Sequence, residues 1–174
     1  MNKEIKTDYP YMPELLKLPR YDELPTMGLY MEQLVDYIND KLGPFFSELG
    51  IKPLTRSMVN NYVKAKLIAP PENKKYYELS IAMVIVMYVV KTSYSTTDVG
   101  DIIALGLTYE DIGKIYDRFC EAIESATAQV FGGNISLNIE DNNSDTNKYV
   151  LKNIALSIAC KFFTTKCFIE ATKH

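Results

Sequence analysis

The stretch Thr55–Ile68 reads TRSMVNNYVKAKLI and separates apolar from polar side chains at helical spacing. Thr55 is a residue type that begins helices, because its hydroxyl accepts a hydrogen bond from the first turn. One face collects the apolar side chains of Met58, Val59, Tyr62, Val63 and Leu67. The opposite face collects the polar side chains of Arg56, Ser57, Asn60, Asn61 and Lys64. The stretch therefore predicts an amphipathic helix with one face in a core and one in solvent.

The residues after this helix predict a short loop and then a buried helix. Pro70 and Pro71 stop the first helix, and the polar stretch 72–75 leads into Tyr76 and Tyr77. Ile81–Val90 is a ten-residue apolar run, which periodicity alone assigns to neither helix nor strand. We interpret it as a buried helix.

The residues before Thr55 predict an extended arm and one helix. Four prolines lie within the first 25 residues, and the arm also carries apolar side chains that we expect to lie against the folded body. From Leu29 the spacing of Leu34, Val35, Ile38 and Leu42 is helical, with Gly43 and Pro44 as an interruption before Phe45, Phe46 and Leu49.

The residues from Ser95 onwards predict three more helices. Ser95–Asp98 resembles a capping box that begins a helix ending at Gly106, and Thr108 with Asp111 repeats the start signal. A heptad seam follows, which consists of Ile112, Tyr116, Phe119, Ile123, Ala126 and Val130. Gly132 and Gly133 end that helix, and 138–147 predicts a mobile loop. The last helix, Leu151–Phe168, is polar at Lys152, Asn153, Lys161 and Lys166. We expect the two long helices to form an antiparallel hairpin with apolar surface left for a second copy.

Charge is distributed unevenly along the chain, whose net charge is -3. Residues 51–77 contain six basic side chains and one acidic side chain, whereas the rest of the chain contains 13 basic and 21 acidic ones. A local positive field of this kind is typical of a phosphate-binding face, although an ordinary solvated helix face explains the lysines equally well. Asn60, Asn61 and Ser57 favour the first explanation, because amides and hydroxyls read base edges.

Several classes of protein are disfavoured by composition. The single histidine, His174, leaves imidazole catalysis and histidine metal sites without their usual participant, so we expect no enzyme, no metal and no cofactor. Cys120, Cys160 and Cys167 lack the spacing of a disulfide framework or a zinc site and are interpreted as core residues. No apolar run is long enough to cross a membrane, and we expect a cytoplasmic protein.

The stretch 55–68, followed by Pro70–Pro71, Lys74-Lys75-Tyr76 and an apolar helix, resembles the helix-turn-helix and wing of MerR-type regulators. The whole chain, with Leu18-Pro19-Arg20-Tyr21 and Leu29-Tyr30-Met31, resembles a bacterial domain-of-unknown-function family of small proteins that carry this module. The resemblance implies that Thr55–Leu67 is a recognition helix and that 70–76 is the wing. It matches Asn60 to an arginine of that helix, Lys74 to the wing arginine and Tyr76 to the wing tyrosine.

We therefore expect an all-α fold in three parts: a proline-rich arm (1–27), a MerR-like winged helix-turn-helix (28–106) and a helical hairpin (107–174). The expected function is DNA binding as a homodimeric transcriptional regulator, with a possible small-molecule effector between the winged helix and the hairpin. The alternative is a protein-interaction module that uses the same basic face without binding DNA. The residues expected to contact duplex DNA are Arg56, Ser57, Asn60, Asn61, Lys64, Lys74, Lys75 and Tyr76.

Overall fold

Helices make up most of the chain in the computed structural model, which describes residues 15–106, 111–135 and 146–172. A 3-10 turn at Tyr21–Glu23 precedes the first regular element. The elements then follow in the order β1 (Leu29–Tyr30), α1 (Met31–Glu48), α2 (Arg56–Lys64), β2 (Lys75–Tyr76), α3 (Glu78–Val90), α4 (Thr96–Gly106), α5 (Ile112–Phe131) and α6 (Thr146–Ala171). The expected all-α class is confirmed at this level, with the addition of a small antiparallel sheet of β1 and β2.

The core forms around α3, whose apolar run is helical as predicted. Eight of its side chains are buried, and they include Val84, Ile85 and Val89. Phe46 of α1 packs edge-on against Tyr88 of α3, with ring centroids 4.9 Å apart, and Phe162 of α6 lies 5.7 Å from Phe46. The central position of α3 explains why it lacks a polar face.

The first helix differs from its prediction at both its start and its middle. Leu29 and Tyr30 form β1, so α1 begins at Met31, and it continues without a break through Gly43 and Pro44 to Glu48. Pro44 lies on the exposed side of α1, where its missing N–H donor costs least, while the next two residues, Phe45 and Phe46, are buried. Core packing of these rings explains why the helix tolerates the proline.

The arm packs on α5 along its described part, which begins at Leu15. Leu16, Leu18 and Leu24 are buried, as the apolar pattern predicts. The backbone N–H of Tyr21 donates to Asp117 at 2.8 Å, and the backbone N–H of Leu18 donates to Glu124 at 2.6 Å. The arm therefore runs along α5 through backbone contacts with carboxylates; its first 14 residues lie outside the described part.

The two long helices α5 and α6 pack extensively against each other, as the predicted hairpin requires. The Asp111 side chain caps α5 by accepting from Gly113 N–H at 2.8 Å, and Gly133 in the left-handed region ends it. Five members of the heptad seam, Tyr116, Phe119, Ile123, Ala126 and Val130, are buried inside the protomer. The sixth, Ile112, is exposed. The helix start at Thr108 and residues 138–145 of the predicted mobile loop lie outside the described residues, and the last two residues of that predicted loop, Thr146 and Asn147, belong to α6.

Helix α4 begins with the capping box that the sequence predicts. Ser95 N–H donates to the Asp98 carboxylate at 3.0 Å, and Asp98 N–H donates to the Ser95 hydroxyl at 3.2 Å. Helix α6 is longer than expected, and Lys166 does not lie on its solvent face. Its side chain is only 5% exposed, and its Nζ lies 2.6 Å from Glu48 and 3.7 Å from Glu170. The two carboxylates explain how a lysine lies inside the fold.

Candidate nucleic-acid interface

Helix α2 has the two faces that its sequence predicts. The Thr55 hydroxyl accepts from Met58 N–H at 3.3 Å and caps the helix. Val59 and Tyr62 are buried on the inner face. The outer face is exposed at all five predicted positions, Arg56, Ser57, Asn60, Asn61 and Lys64. The surface formed by these five side chains is called the α2 face below.

Helix α2 ends at Lys64, three residues before the predicted end at Leu67. Lys66 adopts a left-handed conformation with φ of 58°, and Leu67 N–H bonds back to the carbonyl of Tyr62 at 3.1 Å. This pattern closes a helix and usually has glycine at the left-handed position. The recognition helix implied by the resemblance therefore has nine residues, and Lys66 belongs to its C-terminal turn.

The position of α2 is fixed by hydrogen bonds to the segment that precedes it. The Asn39 amide of α1 both donates to the Leu54 carbonyl at 3.0 Å and accepts from Leu54 N–H at 2.8 Å. The Tyr88 hydroxyl of α3 donates to the Lys52 carbonyl at 2.9 Å. The connection between α1 and α2, residues 49–55, is longer than the three- or four-residue turn of a typical helix-turn-helix.

The predicted loop between α2 and α3 is a tight β-hairpin. Glu72 and Lys75 exchange two backbone hydrogen bonds of 2.9 Å, and the two residues between them, Asn73 and Lys74, have φ of 47° and 66°. Two consecutive positive φ values define the turn type that suits a two-residue hairpin. Lys74 therefore lies exposed at the tip of a hairpin, here called the 72–76 hairpin.

A chain of contacts through β1 and the first turn of α1 links the 72–76 hairpin to the start of α2. Lys75 pairs with Tyr30 in the sheet, and its Nζ lies 5.2 Å from the centre of the Tyr30 ring. Two residues after Tyr30, Glu32 binds the guanidinium of Arg56 at 2.9 Å. The chain of contacts thus connects Lys75 to Arg56 through the first turn of α1. Arg56 and Glu32 are both largely exposed, so this pair contributes little to stability.

One predicted contact residue is buried. Tyr76 is 2% exposed and is among the largest buried side chains. Burial raises the pKa of its hydroxyl. Its register partner is Leu29, so this pair faces the core while Tyr30 and Lys75 face outward. Tyr76 is therefore removed from the surface that a duplex could touch, and Tyr77, its neighbour, is exposed instead.

The contribution of β1 to this surface was not predicted from the sequence. Gly28 and Tyr30 lie opposite Tyr77 and Lys75, and these four positions alternate with Leu29, which is half-buried against the core, and Tyr76, which is buried. The period of two was present in the sequence, in Gly28-Leu29-Tyr30 and Lys75-Tyr76-Tyr77. Two strands of two residues each are too short for alternation to distinguish them from a loop.

The expected effector pocket does not coincide with the groove that the structure describes. An open groove of about 320 Å³ lies between α5 and α6, and its lining includes Arg118, Ser125, Gln129, Lys152 and Leu156. This groove lies within the hairpin, whereas the effector was expected between the winged helix and the hairpin. An effector site between the winged helix and the hairpin stays a prediction.

Neither a metal-binding cluster nor a membrane-spanning helix is found in the part of the chain that the structure describes. In the ranges 15–106, 111–135 and 146–172, no three His, Cys, Asp or Glu side chains are grouped so that they could hold a metal ion. None of the helices within these same ranges combines the length and the apolar character that crossing a bilayer demands. Neither result assigns an activity.

Comparison with known proteins gives one match. A family model described as a domain of unknown function, DUF1836, matches residues 19–119, which is more than half of the chain. The match extends from the docked arm through α4 and into the first part of α5. No curated protein matches the chain, and no solved structure matches it.

Proposed function

The chain belongs to the DUF1836 family of domains of unknown function, and we propose that it binds duplex DNA as a MerR-like winged helix-turn-helix regulator. The single observation that supports this proposal most is the α2 face, where five polar or basic side chains stand exposed on one capped helix. Helix α2 is proposed to enter the major groove. The 72–76 hairpin, with Lys74 at its tip, is proposed to act as the wing and to contact phosphates.

The residue types of the α2 face support two different roles. Arg56 and Lys64 carry the charge that neutralises phosphates, and binding through them depends on salt because counterions are released. Asn60 and Asn61 each have an amide that can bond to the N6 and N7 atoms of adenine at once. Lys75 pairs with Tyr30 of β1 and adds a further positive charge to the 72–76 hairpin.

A homodimer is proposed because two copies would present two α2 helices to successive major grooves. The heptad seam no longer supports this proposal directly, because five of its six positions are buried by the protomer's own arm, α3 and α6. Sedimentation at micromolar concentration tests it, with twice the chain mass expected. If the free protein sediments as a monomer but two copies bind one specific DNA molecule, dimerisation depends on DNA.

The alternative function is docking of an acidic protein on the α2 face. It is favoured by one observation, the pair between Arg56 and the carboxylate of Glu32, because this shows a carboxylate bound to the same face. A protein partner and a duplex both require Arg56, but only a duplex releases the condensed counterions that give a steep salt dependence.

The experiment that tests DNA binding is selection of bound fragments from random duplex DNA, followed by fluorescence anisotropy at several salt concentrations. We expect an enriched site and a linear fall of log affinity with log salt. Lys64→Gln should reduce the slope, whereas Lys152→Gln, which removes an exposed lysine of α6, should not change it. Absence of duplex binding at low salt would overturn the proposal and favour the acidic partner.

A further inference from the structure

Two tyrosine rings lie exposed on the outer face of the β1–β2 sheet. Because Leu29 pairs with Tyr76 and Tyr30 pairs with Lys75, the same register places Gly28 opposite Tyr77. Leu29 and Tyr76 face the core, so Gly28, Tyr30, Lys75 and Tyr77 share the solvent side. Tyr30 is 51% exposed and Tyr77 is 38% exposed. This outer face is called the tyrosine platform.

Gly28 makes room for the platform. A methyl group built on Gly28 would lie 2.8 Å from two atoms of the Tyr77 ring and 2.9 Å from Cβ of Lys75. Any larger residue at this position would therefore displace the Tyr77 ring. The ring of Tyr77 covers the backbone at Gly28, just before β1, while the Lys75 ammonium lies 5.2 Å from the centre of the Tyr30 ring.

The two rings lie on diagonally related positions of adjacent strands, whose side chains are about 7–8 Å apart. Exposed aromatic side chains next to basic residues form surfaces on which unpaired nucleobases stack. Single exposed aromatic residues are common on protein surfaces and need no ligand. Here two rings and a cation share one sheet face, and the contact between Glu32 and Arg56 joins that face to α2.

We propose that the tyrosine platform stacks on an unpaired base next to the duplex held by the α2 face. The inference rests on the proposed function, because it extends the same binding surface. Lys74 and Lys75 would contact the phosphates of the unpaired strand, and the rings of Tyr30 and Tyr77 would contact its bases. The preferred target is then DNA in which a duplex meets a short single-stranded segment.

Charge favours a nucleic acid over a protein as the occupant. Residues 51–77 hold six basic side chains and one acidic side chain, so a polyanion is attracted to this side of the molecule. Stacking also needs ring faces rather than a concave apolar pocket, and the outer side of a two-stranded sheet offers ring faces without a cavity. An apolar protein segment would gain less from the two lysines.

The test compares three DNA molecules with the same sequence: a blunt duplex, the duplex with a three-nucleotide overhang, and the single strand. The fluorescent base 2-aminopurine replaces one base of the overhang, because stacking quenches its emission. We expect roughly tenfold tighter binding to the overhang duplex than to the blunt one, together with quenching. Tyr30→Ala and Tyr77→Ala should abolish the preference, whereas Tyr30→Phe and Tyr77→Phe should keep it.

Two control variants separate stacking from loss of structure. Tyr149→Ala removes a tyrosine of α6 that is exposed to a similar extent, and it should leave the preference unchanged. Gly28→Ala should reduce the preference by displacing the Tyr77 ring, and melting temperatures recorded for all variants show whether the fold is retained.

The outcomes distinguish this inference from the proposed function. Equal affinity for blunt and overhang duplexes, without quenching, would overturn the platform while leaving duplex binding intact, and would direct the search towards a protein partner. Binding of the overhang and the single strand through Tyr30 and Tyr77, without binding of the blunt duplex, would support the platform and overturn the duplex proposal. If none of the three DNA molecules binds, both the platform inference and the duplex-binding proposal are overturned.

Discussion

Arg20 and Glu124 form a two-point ion pair between the arm and α5. The Nη1 atom of Arg20 lies 2.9 Å from Oε1, and Nη2 lies 2.6 Å from Oε2. The same carboxylate accepts from Leu18 N–H, and Arg20 also donates to the Leu18 carbonyl. One glutamate of α5 therefore fixes both the backbone and a side chain of the arm, at a place where the DUF1836 match begins.

The first prediction concerns this attachment. Glu124→Ala removes three hydrogen bonds to the arm and should lower the free energy of unfolding by about 1–3 kcal/mol, since bonds to a charged group are among the stronger ones. Urea unfolding measures the loss, and hydrogen exchange should show faster exchange at Leu18 N–H. Glu121→Ala, at an exposed position of the same helix, is the matched control. Equal protection of Leu18 in both variants would contradict the role of Glu124.

The second prediction is an asymmetry in the Lys166–Glu48 pair. The Lys166 side chain is buried, whereas Glu48 is 42% exposed. Lys166→Met keeps the apolar stem and leaves carboxylates that water can reach, so it should change the free energy of unfolding by less than about 1 kcal/mol. Glu48→Gln leaves a buried ammonium with a weaker partner and should cost about 1–3 kcal/mol. A larger loss for Lys166→Met than for Glu48→Gln would reverse this order.

The sequence predicted α2 well because its two faces, its cap and its apolar positions all indicate the same structure. Thr55, Val59 and the exposed polar positions lie where the pattern placed them. Lys166 and Pro44 could not be placed correctly from the sequence. Each depends on a tertiary neighbour, Glu48 for the lysine and the buried Phe45 and Phe46 for the proline, and periodicity does not contain that information.

The candidate surface was predictable only in part, for a related reason. The resemblance placed Tyr76 in the contact set, and the register of β1 and β2 turns it into the core. Tyr30 and Tyr77 lie outward because of that same register. A strand shift of one residue would exchange the two sides, so the exposed set depends on pairing between segments 45 residues apart in the chain.

The third prediction is a loss of stability at alkaline pH. Burial raises the pKa of Cys120 from 9.0 to about 12 and that of Tyr88 from 10.0 to about 12. Both groups stay protonated in the folded chain at pH values at which they ionise in the unfolded chain. Their contribution to the free energy of unfolding is therefore complete below about pH 9 and is lost as the pH rises towards 12. Each group lowers the free energy of unfolding by at most about 1 kcal/mol per pH unit, above about pH 9 for Cys120 and above about pH 10 for Tyr88.

Urea unfolding at pH 8, 9, 10 and 11 measures this loss. Cys120→Ala should reduce the slope between pH 9 and 11, although it also lowers stability at pH 8 by leaving a small cavity. Cys160→Ala, at a less buried thiol, is the control. An unchanged slope in Cys120→Ala would show that this thiol ionises alike in the folded and unfolded chains, so that burial does not raise its pKa.

The fourth prediction is that the three cysteines react slowly with thiol reagents in the native state. The Cys120 thiol is fully buried, and burial also raises the pKa of Cys167. Because the thiolate is the reactive form, labelling by a thiol reagent at pH 8 should be slow, with Cys120 slowest of the three. Mass spectrometry after timed labelling identifies each site, and the same reaction in urea gives the reference rate. Cys120 labelled as fast in the native as in the unfolded chain would refute its structural role.

The last prediction separates charge from sequence reading on the α2 face. Arg56→Gln and Lys64→Gln should each weaken binding to all duplexes alike and reduce the magnitude of the salt slope by about one unit, because each removes one phosphate contact. Asn60→Ala and Asn61→Ala should behave differently, because an amide that reads adenine contributes about 1–3 kcal/mol on the preferred site and little on unrelated DNA. Their salt slopes should therefore stay unchanged.

The melting temperatures of these variants distinguish a loss of DNA binding from a loss of folding. Asn60, Asn61, Arg56 and Lys64 are exposed, so their substitution should leave the melting temperature nearly unchanged, whereas Tyr62→Ala should destabilise the fold by about 3–5 kcal/mol because its ring is buried. Anisotropy on selected and scrambled duplexes then reports binding alone. If Asn60→Ala and Asn61→Ala weakened both duplexes equally, the amides would position the backbone rather than read bases, and specificity would have to come from DNA shape or from the 72–76 hairpin.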